Sequence, residues 1–148
     1  MEKFNRYNIP EEIDKYQGIV MDAGAELSVA SSRVKKLEIL LKETPKDQKK
    51  ELEIIYSKLY CRYKDQGGSE ALIKAKVLSD SEYIKTFSVQ KKKIQILTNK
   101  YEEAIQKEVQ ATANYYLSRD RIKLMESSIK LLIGEFYNLN ENKIKKEI

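Results

Sequence analysis

Near the start of the chain, apolar residues recur at alternating spacings of three and four over about four heptads. The stripe consists of Ile13, Tyr16, Val20, Ala23, Leu27, Ala30, Val34, Leu37 and Leu41. Such spacing keeps the side chains on one line along an α-helix and is typical of a coiled-coil seam. The pattern therefore predicts a long helix whose seam is covered by another helix.

The composition also favours long helices. Charged residues make up 34% of the 148 residues, and the chain contains only 2 prolines and 5 glycines. This is the composition of long helices packed along seams, and the length is that of one domain. We therefore predict an all-α protein with a single domain over residues 1–148 and a core over 10–134.

Proline and glycine set the expected boundaries of the first helices. Pro45 disfavours helical geometry at Thr44 and suits the first position of a helix, so one helix should end here and a second should cover about 45–64. The apolar side of this second helix is Leu52, Ile55, Tyr56, Leu59 and Tyr63. The Gln-Gly-Gly-Ser stretch at 66–69 predicts a break, and 70–78 a short amphipathic helix.

A very long helix is expected in the C-terminal half, because no glycine or proline occurs from Glu82 to Ile133. Ser79 and Glu82 stand at capping-box spacing at its start, and Gly134 is the predicted C-cap. The basic tail at 135–148 is expected to fray. The interrupted apolar stripe is Ile84, Phe87, Ile94, Tyr101, Ile105, Thr112, Tyr115, Ile122, Ile129 and Ile133. Flanking apolar residues widen this face, which predicts contact with more than one helix.

The predicted helical hairpin or bundle has more apolar surface than one copy can cover. Homo-oligomerisation is the economical way to cover it, so we expect a homo-oligomer. The residues assigned to self-association are Ile13, Tyr16, Val20, Leu27, Val34, Leu37, Ile105, Ile122 and Ile129.

The chain lacks the residue patterns on which most active sites depend. It has no histidine, a single cysteine at Cys61 and no glycine-rich phosphate loop or nucleophile motif. We therefore expect neither an enzyme nor a metal or cofactor site. The unpaired thiol, the lack of a secretion signal and the lack of a run of about 20 apolar residues predict a cytoplasmic protein without a membrane span.

Segment 56–64 interleaves tyrosines with cations. Its members are Tyr56, Lys58, Tyr60, Arg62, Tyr63 and Lys64. In one interpretation, Tyr56 and Tyr63 join the core and the cations form a solvated face. In the other, the three cations contact phosphates of single-stranded DNA while an exposed Tyr60 stacks on a base.

Three consecutive lysines lie inside the long helix at 91–93. Three successive residues cover most of a helix circumference, so at least one should face a partner, although a solvated face is the other interpretation. Lys91 and Lys92 join the candidate contacts to single-stranded DNA. The net charge of +5 suits a polyanionic partner.

Three stretches of the sequence resemble the UvsY family of phage recombination mediator proteins. They are YSKLYCRYKDQGG at 56–68, KAKVLSDSEYIK at 74–85 and SRDRIKLM at 118–125. The resemblance extends over about 10–127 and is most specific at 58–68 and at Lys76-Val77-Leu78-Ser79. Where the family pattern has an arginine two residues after its lysine, this chain has Tyr60, and the nearest cation is Arg62.

The resemblance implies a small helical protein that forms a ring-like homo-oligomer. It also implies binding to single-stranded DNA, contact with a single-strand-binding protein, and loading of a RecA-like recombinase onto the strand. A different hypothesis, drawn from the seam alone, is a structural or inhibitory helical adaptor. In that case the stripe from Ile13 to Leu41 docks a protein partner, and the charges only confer solubility.

Overall fold

The computed structural model describes residues 9–147, which form three helices and contain no strand. Helix α1 spans Ile9–Asp65, α2 spans Glu70–Ser79 and α3 spans Ser81–Glu147. The predicted all-α class and the very long C-terminal helix are confirmed. The chain divides into two compact units: unit 1 is Met1–Ala30 with Lys107–Ile148, and unit 2 is Ser31–Gln106.

Helix α1 continues through Pro45, so the predicted helix end at Thr44 and new start at Pro45 are wrong. The seam keeps its spacing here, because Leu41 is followed by Thr44 and Gln48 at steps of three and four. Thr44 is buried and Pro45 lies on the exposed side of the helix. Proline removes one main-chain hydrogen bond, but packing along the seam holds the backbone helical on both sides.

In unit 2, α1 and α3 pack with their seams facing each other. Val34, Leu37 and Ala104 are buried together, and Leu97 and Tyr101 pack against them. The Tyr101 hydroxyl also donates a hydrogen bond of 2.9 Å to Glu38. Contacts further along α1 involve earlier residues of α3, so the two helices are antiparallel in this unit.

A polar layer crosses the seam of unit 2 next to Pro45. The Gln48 side chain donates to the Gln90 main-chain carbonyl at 3.1 Å, and the Gln90 side chain donates to the Gln48 carbonyl at 3.0 Å. The Gln90 amide also donates to Glu51 at 2.9 Å. Gln90 is buried, and these bonds engage its amide nitrogen and main-chain carbonyl while fixing one register between the helices.

The predicted break at 66–69 and the short helix after it are confirmed. Gly67 and Gly68 have φ values of +81° and +123°, which side chains other than glycine rarely adopt. Ser69 then caps α2 by accepting a hydrogen bond from the Leu72 amide at 3.3 Å. Near this turn, α1 contributes Leu59 and α2 contributes Val77 as fully buried side chains.

The start of α3 differs from the predicted capping box at Ser79 and Glu82. Asp80 accepts a hydrogen bond from the Glu82 amide at 2.9 Å and occupies the capping position. The Ser79 hydroxyl instead donates to the Ala75 carbonyl at 2.8 Å, inside α2. Asp80 occupies the capping position because its charged carboxylate is a stronger hydrogen-bond acceptor than the Ser79 hydroxyl at the positive end of the helix.

In unit 1, the described side chains lie at 11–30, 107–135 and 138–146, and among them only Ala23 is buried. A Cβ on Gly24 would lie 3.5 Å from the Tyr115 ring, so the helices approach closely here. The helix does not end at Gly134, and the stretch predicted to fray is helical to Glu147. One glycine inside a helix costs only about 1 kcal/mol relative to alanine, and good helix formers flank it.

The predicted stripe of α3 is correct in part. Ile94, Tyr101, Thr112, Tyr115, Ile122 and Ile129 are half-buried. Ile84, Phe87, Ile105 and Ile133 are exposed. The covered residues of α3 recur at spacings of three and four. They include smaller or more polar residues, such as Gln90, Ala104 and Ser118. The four exposed members of the predicted stripe, three of them isoleucines, therefore lie to one side of the covered residues.

Candidate nucleic-acid interface

The basic-aromatic segment lies on the last turns of α1, and the helix divides it between two sides. Two residues along an α-helix are about 160° apart around its axis, whereas four residues return to nearly the same side. Lys58 and Arg62 therefore share one side of α1, and Tyr60 and Lys64 share the opposite one. The four residues predicted as one contact surface form two.

On the first side, the Lys58 ammonium lies 3.7 Å from a Glu82 carboxylate oxygen on α3. The Lys58 side chain is 61% exposed, and Arg62 is also exposed. An ion pair this open to water contributes little to stability. Lys58 can therefore exchange its carboxylate partner for a phosphate.

On the second side, three tyrosines form a row across the two helices. Tyr60 stacks on Tyr56 with ring centroids 6.1 Å apart and planes at 21°. Tyr56 meets Tyr83 of α3 edge to face at 6.4 Å and 71°. Both Tyr56 and Tyr60 are half-buried. Tyr60 thus keeps part of its ring accessible while the row holds its orientation.

A groove of about 470 Å³ runs beside this row in unit 2. We call it the aromatic groove. Its lining consists of Pro45, Gln48, Lys49, Leu52, Glu53, Tyr56, Ser57, Tyr83, Phe87 and Gln90. Phe87 is 53% exposed although it is a large apolar ring. Phe87 belongs to the predicted apolar stripe of α3, whereas the sequence pattern predicts no role for Tyr83.

Exposed lysines surround the level of Gln48 and Gln90, whose side chains donate to each other's main chains. They are Lys46, Lys49, Lys50, Lys91, Lys92 and Lys93, and of these Lys49 lines the aromatic groove. Lys49 and Lys91 each follow a seam glutamine by about 100°, which in antiparallel helices is the same side. The α1 lysines are not among the predicted contacts, although the stretch KDQKK at 46–50 is a signal for them.

Helix α2 brings further cations to the opposite end. The Lys76 ammonium lies 6.0 Å from the centroid of the Tyr63 ring. A hydrogen bond to Glu70, 3.1 Å away, raises the pKa of Lys74, with a smaller contribution from the charges of Tyr56 and Tyr60. Lys74 is thus held in an ion pair within α2.

Tyr63 and Asp80 fasten α1 to the start of α3. The Tyr63 hydroxyl donates to Asp80 at 2.6 Å. This hydrogen bond raises the pKa of Tyr63 above 10.0 and, with the bond from the Glu82 amide, lowers the pKa of Asp80 below 3.8. Tyr63, which one interpretation of the sequence placed in the core, is thus half-buried and acts as a clasp.

The residues assigned to self-association lie mostly along the helix seams. Val34 and Leu37 are buried within the chain, and Ile105 is 37% exposed. The half-buried members are Ile13, Tyr16, Val20, Leu27, Ile122 and Ile129. Because α3 covers Val34 and Leu37 in unit 2, the first helix needs no second copy at those positions. The assignment of the set to self-association stays a prediction.

A scan against protein-family models found no match to this chain, and neither did searches of curated proteins and solved structures. Among the residues that the structure describes, no helix combines the length and the apolarity that crossing a membrane requires.

Proposed function

We propose that this protein binds single-stranded DNA through unit 2. The observation that supports the proposal is the assembly of exposed lysines from α1 and α3 beside a row of tyrosines. A strand needs both features, because cations neutralise its phosphates and rings stack on its bases. The predicted contacts are Lys58, Tyr60, Arg62, Lys64, Lys91 and Lys92.

We further propose that the protein acts as a phage recombination mediator, without catalysing a reaction itself. The support is the resemblance of segments 56–68 and 74–85 to the UvsY family. In this role a ring-like homo-oligomer holds a strand coated by single-strand-binding protein and helps a RecA-like recombinase to load. Repetition of the lysine surface around an oligomer would turn several weak contacts into a strong one.

DNA binding is tested by fluorescence anisotropy with labelled oligo-dT at several salt concentrations. Wild-type affinity should fall steeply with salt, because bound phosphates release counterions. The double variant Lys91→Ala with Lys92→Ala should flatten the slope of log affinity against log salt by about 0.7 for each lost phosphate contact. Lys58→Ala with Arg62→Ala tests the other side of α1 in the same assay.

The matched control is Lys143→Ala with Lys145→Ala, which removes the same charge from exposed positions of unit 1. It should leave the slope close to that of the wild type. If this control loses as much affinity as the Lys91→Ala, Lys92→Ala variant, net charge rather than a surface on unit 2 drives binding. Affinity that is indifferent to salt would refute the proposal.

Mediator activity has its own test. Recombinase filaments should form faster on DNA coated by single-strand-binding protein when this chain is added, and the Lys91→Ala, Lys92→Ala variant should lose the effect. Binding without any acceleration would leave a DNA-binding protein that is no mediator.

A helical adaptor is the second candidate, and exposed leucines in unit 1 favour it. Leu117, Leu124 and Leu131 follow one another at intervals of seven and are 64%, 68% and 70% exposed. A heptad line of leucines is suited to packing against another helix. The adaptor requires that oligo-dT fail to bind at low salt while light scattering finds an assembled protein.

A further inference from the structure

The aromatic groove is built differently from a pocket for a charged or strongly hydrogen-bonding ligand. Its lining holds one lysine and one carboxylate, Lys49 and Glu53, so it has no strong net charge of its own. Its apolar lining consists of the rings of Tyr56, Tyr83 and Phe87 together with Pro45 and Leu52. An open groove with aromatic walls is suited to a flat, partly apolar group.

Three polar side chains of the groove are engaged within the protein. The amides of Gln48 and Gln90 donate to each other's main chain. The Ser57 hydroxyl donates to the Glu53 carbonyl at 2.9 Å. These bonds occupy the donor groups of Gln48, Gln90 and Ser57, while the rings of Tyr56, Tyr83 and Phe87 offer faces for stacking. The groove therefore favours a ligand with a stacking face.

Cations stand at both ends of the groove. Lys49 lines it near the polar layer, and Lys91 lies on the same side of α3. Beyond Tyr60 at the other end, the Lys76 ammonium lies 6.0 Å from the centroid of the Tyr63 ring. A group bound between these ends should carry anionic links on both of its flanks, because the lysines favour anions there. A nucleotide within a strand has this arrangement, with a base between two phosphates.

We propose that the aromatic groove is a base-stacking subsite, in which one base of single-stranded DNA lies against the rings of Tyr56, Tyr83 and Phe87. The inference rests on the proposed function and adds a path for the strand. The bound strand follows the Tyr60 and Lys64 side of α1 and passes from Lys76 toward Lys49 and Lys91. Binding tolerates any base, because stacking and not edge recognition holds it.

The test uses an oligo-dT that carries one 2-aminopurine, whose fluorescence falls when its base stacks. The variant Phe87→Leu removes the ring but keeps an apolar side chain at an exposed position. It should weaken binding by about 5- to 100-fold, the range expected for one stacking contact. It should leave the salt slope unchanged, because no phosphate contact is lost. The quenching of 2-aminopurine should decrease in parallel.

Two further variants make the result specific. Phe87→Trp keeps a ring and should retain both the affinity and the quenching. Tyr116→Leu removes an exposed ring in unit 1 and should bind as the wild type does. Tyr56→Leu repeats the affinity and quenching measurements with a ring from α1. Thermal melting of each variant checks that it is folded.

The possible outcomes separate the two proposals. If the wild type binds DNA and Phe87→Leu binds equally well, the subsite is refuted while the proposed function survives. If the wild type binds no oligonucleotide at low salt, both are refuted. A competition experiment gives a further check. If an apolar helical peptide binds in the groove and covers Phe87 without displacing bound DNA, the base does not lie there and the subsite is refuted.

Discussion

A groove lies between α1 and α3 in each of the two units, and the two grooves have different linings. In unit 2 the lining includes three aromatic rings and one carboxylate. In unit 1 a groove of about 380 Å³ is lined by Ile19, Asp22, Ala23, Glu26, Asn114, Leu117, Ser118 and Arg121. This second lining contains two carboxylates and no ring. The same pair of helices thus forms grooves of different chemistry, and only the one in unit 2 is suited to stacking.

The two units also differ in how much side chain they bury. Unit 2 buries apolar residues from all three helices, including Leu59 and Val77 with no exposed surface. In unit 1, Ala23 is the one buried residue among the described side chains. A helix pair with so little core gains little from the hydrophobic effect. Unit 1 should therefore depend on a further surface, such as a second copy, more than unit 2 does.

The largest expected effect comes from truncating one leucine in each unit. Leu59→Ala should lower the free energy of unfolding by about 3 kcal/mol, because it leaves a cavity at a fully buried position. Leu117→Ala removes the same atoms from a side chain that is 64% exposed, and should change it by less than about 0.5 kcal/mol in a dilute single chain. Denaturant titration measures both.

Light scattering extends this comparison to self-association. If unit 1 is covered by a second copy, Leu117→Ala should lower the average mass at a concentration where Leu59→Ala does not. Equal destabilisation by the two variants in a monomeric protein would break the contrast between the units.

Much of the fold could be predicted from the sequence, and the errors have identifiable causes. The seam spacing passes through Thr44 and Gln48, so continuity of α1 was encoded in the pattern. Polar residues on the seam concealed it, because their burial depends on partners such as Gln90 that lie 42 residues away. The boundaries predicted at Pro45 and at Gly134 followed the local helix-ending preferences of proline and glycine instead of this longer-range spacing.

The candidate site was less predictable than the fold. Segment 56–64 and the lysines at 91–93 could be recognised from residue types alone. The aromatic groove could not, because it requires Tyr56 of α1 to meet Tyr83 and Phe87 of α3. That meeting depends on the register set by Gln48 and Gln90, which no single stretch of sequence reveals.

A smaller effect is expected from adding one methyl group to a glycine in each unit. Gly68→Ala should destabilise the protein by about 2 kcal/mol, because φ of +123° is strained for alanine, and its Cβ would lie 3.2 Å from the Leu72 side chain. Gly18→Ala in helix α1 of unit 1 meets nothing within 4 Å and should stabilise it by up to about 1 kcal/mol. Thermal unfolding compares them, and a loss of stability in Gly18→Ala would contradict an open helical position there.

The smallest effect concerns the clasp between Tyr63 and Asp80 and is visible mainly in its dependence on pH. The folded pKa of Asp80 lies below 3.8, so its stabilisation is present above pH 3.8 and is lost as pH falls through the folded value. The folded pKa of Tyr63 lies above 10.0, so its stabilisation is present below pH 10.0 and is lost as pH rises through the folded value.

The difference in the free energy of unfolding between the wild type and Tyr63→Phe should therefore be constant between these limits and decline outside them. Because the Glu82 amide still binds Asp80, the acid limb should shrink in the variant without disappearing. Tyr116→Phe, which removes the same hydroxyl from a ring that lies near Tyr115 and Arg119 in unit 1, is the matched control. A flat difference for Tyr63→Phe would show that the clasp adds no pH dependence to unit 2.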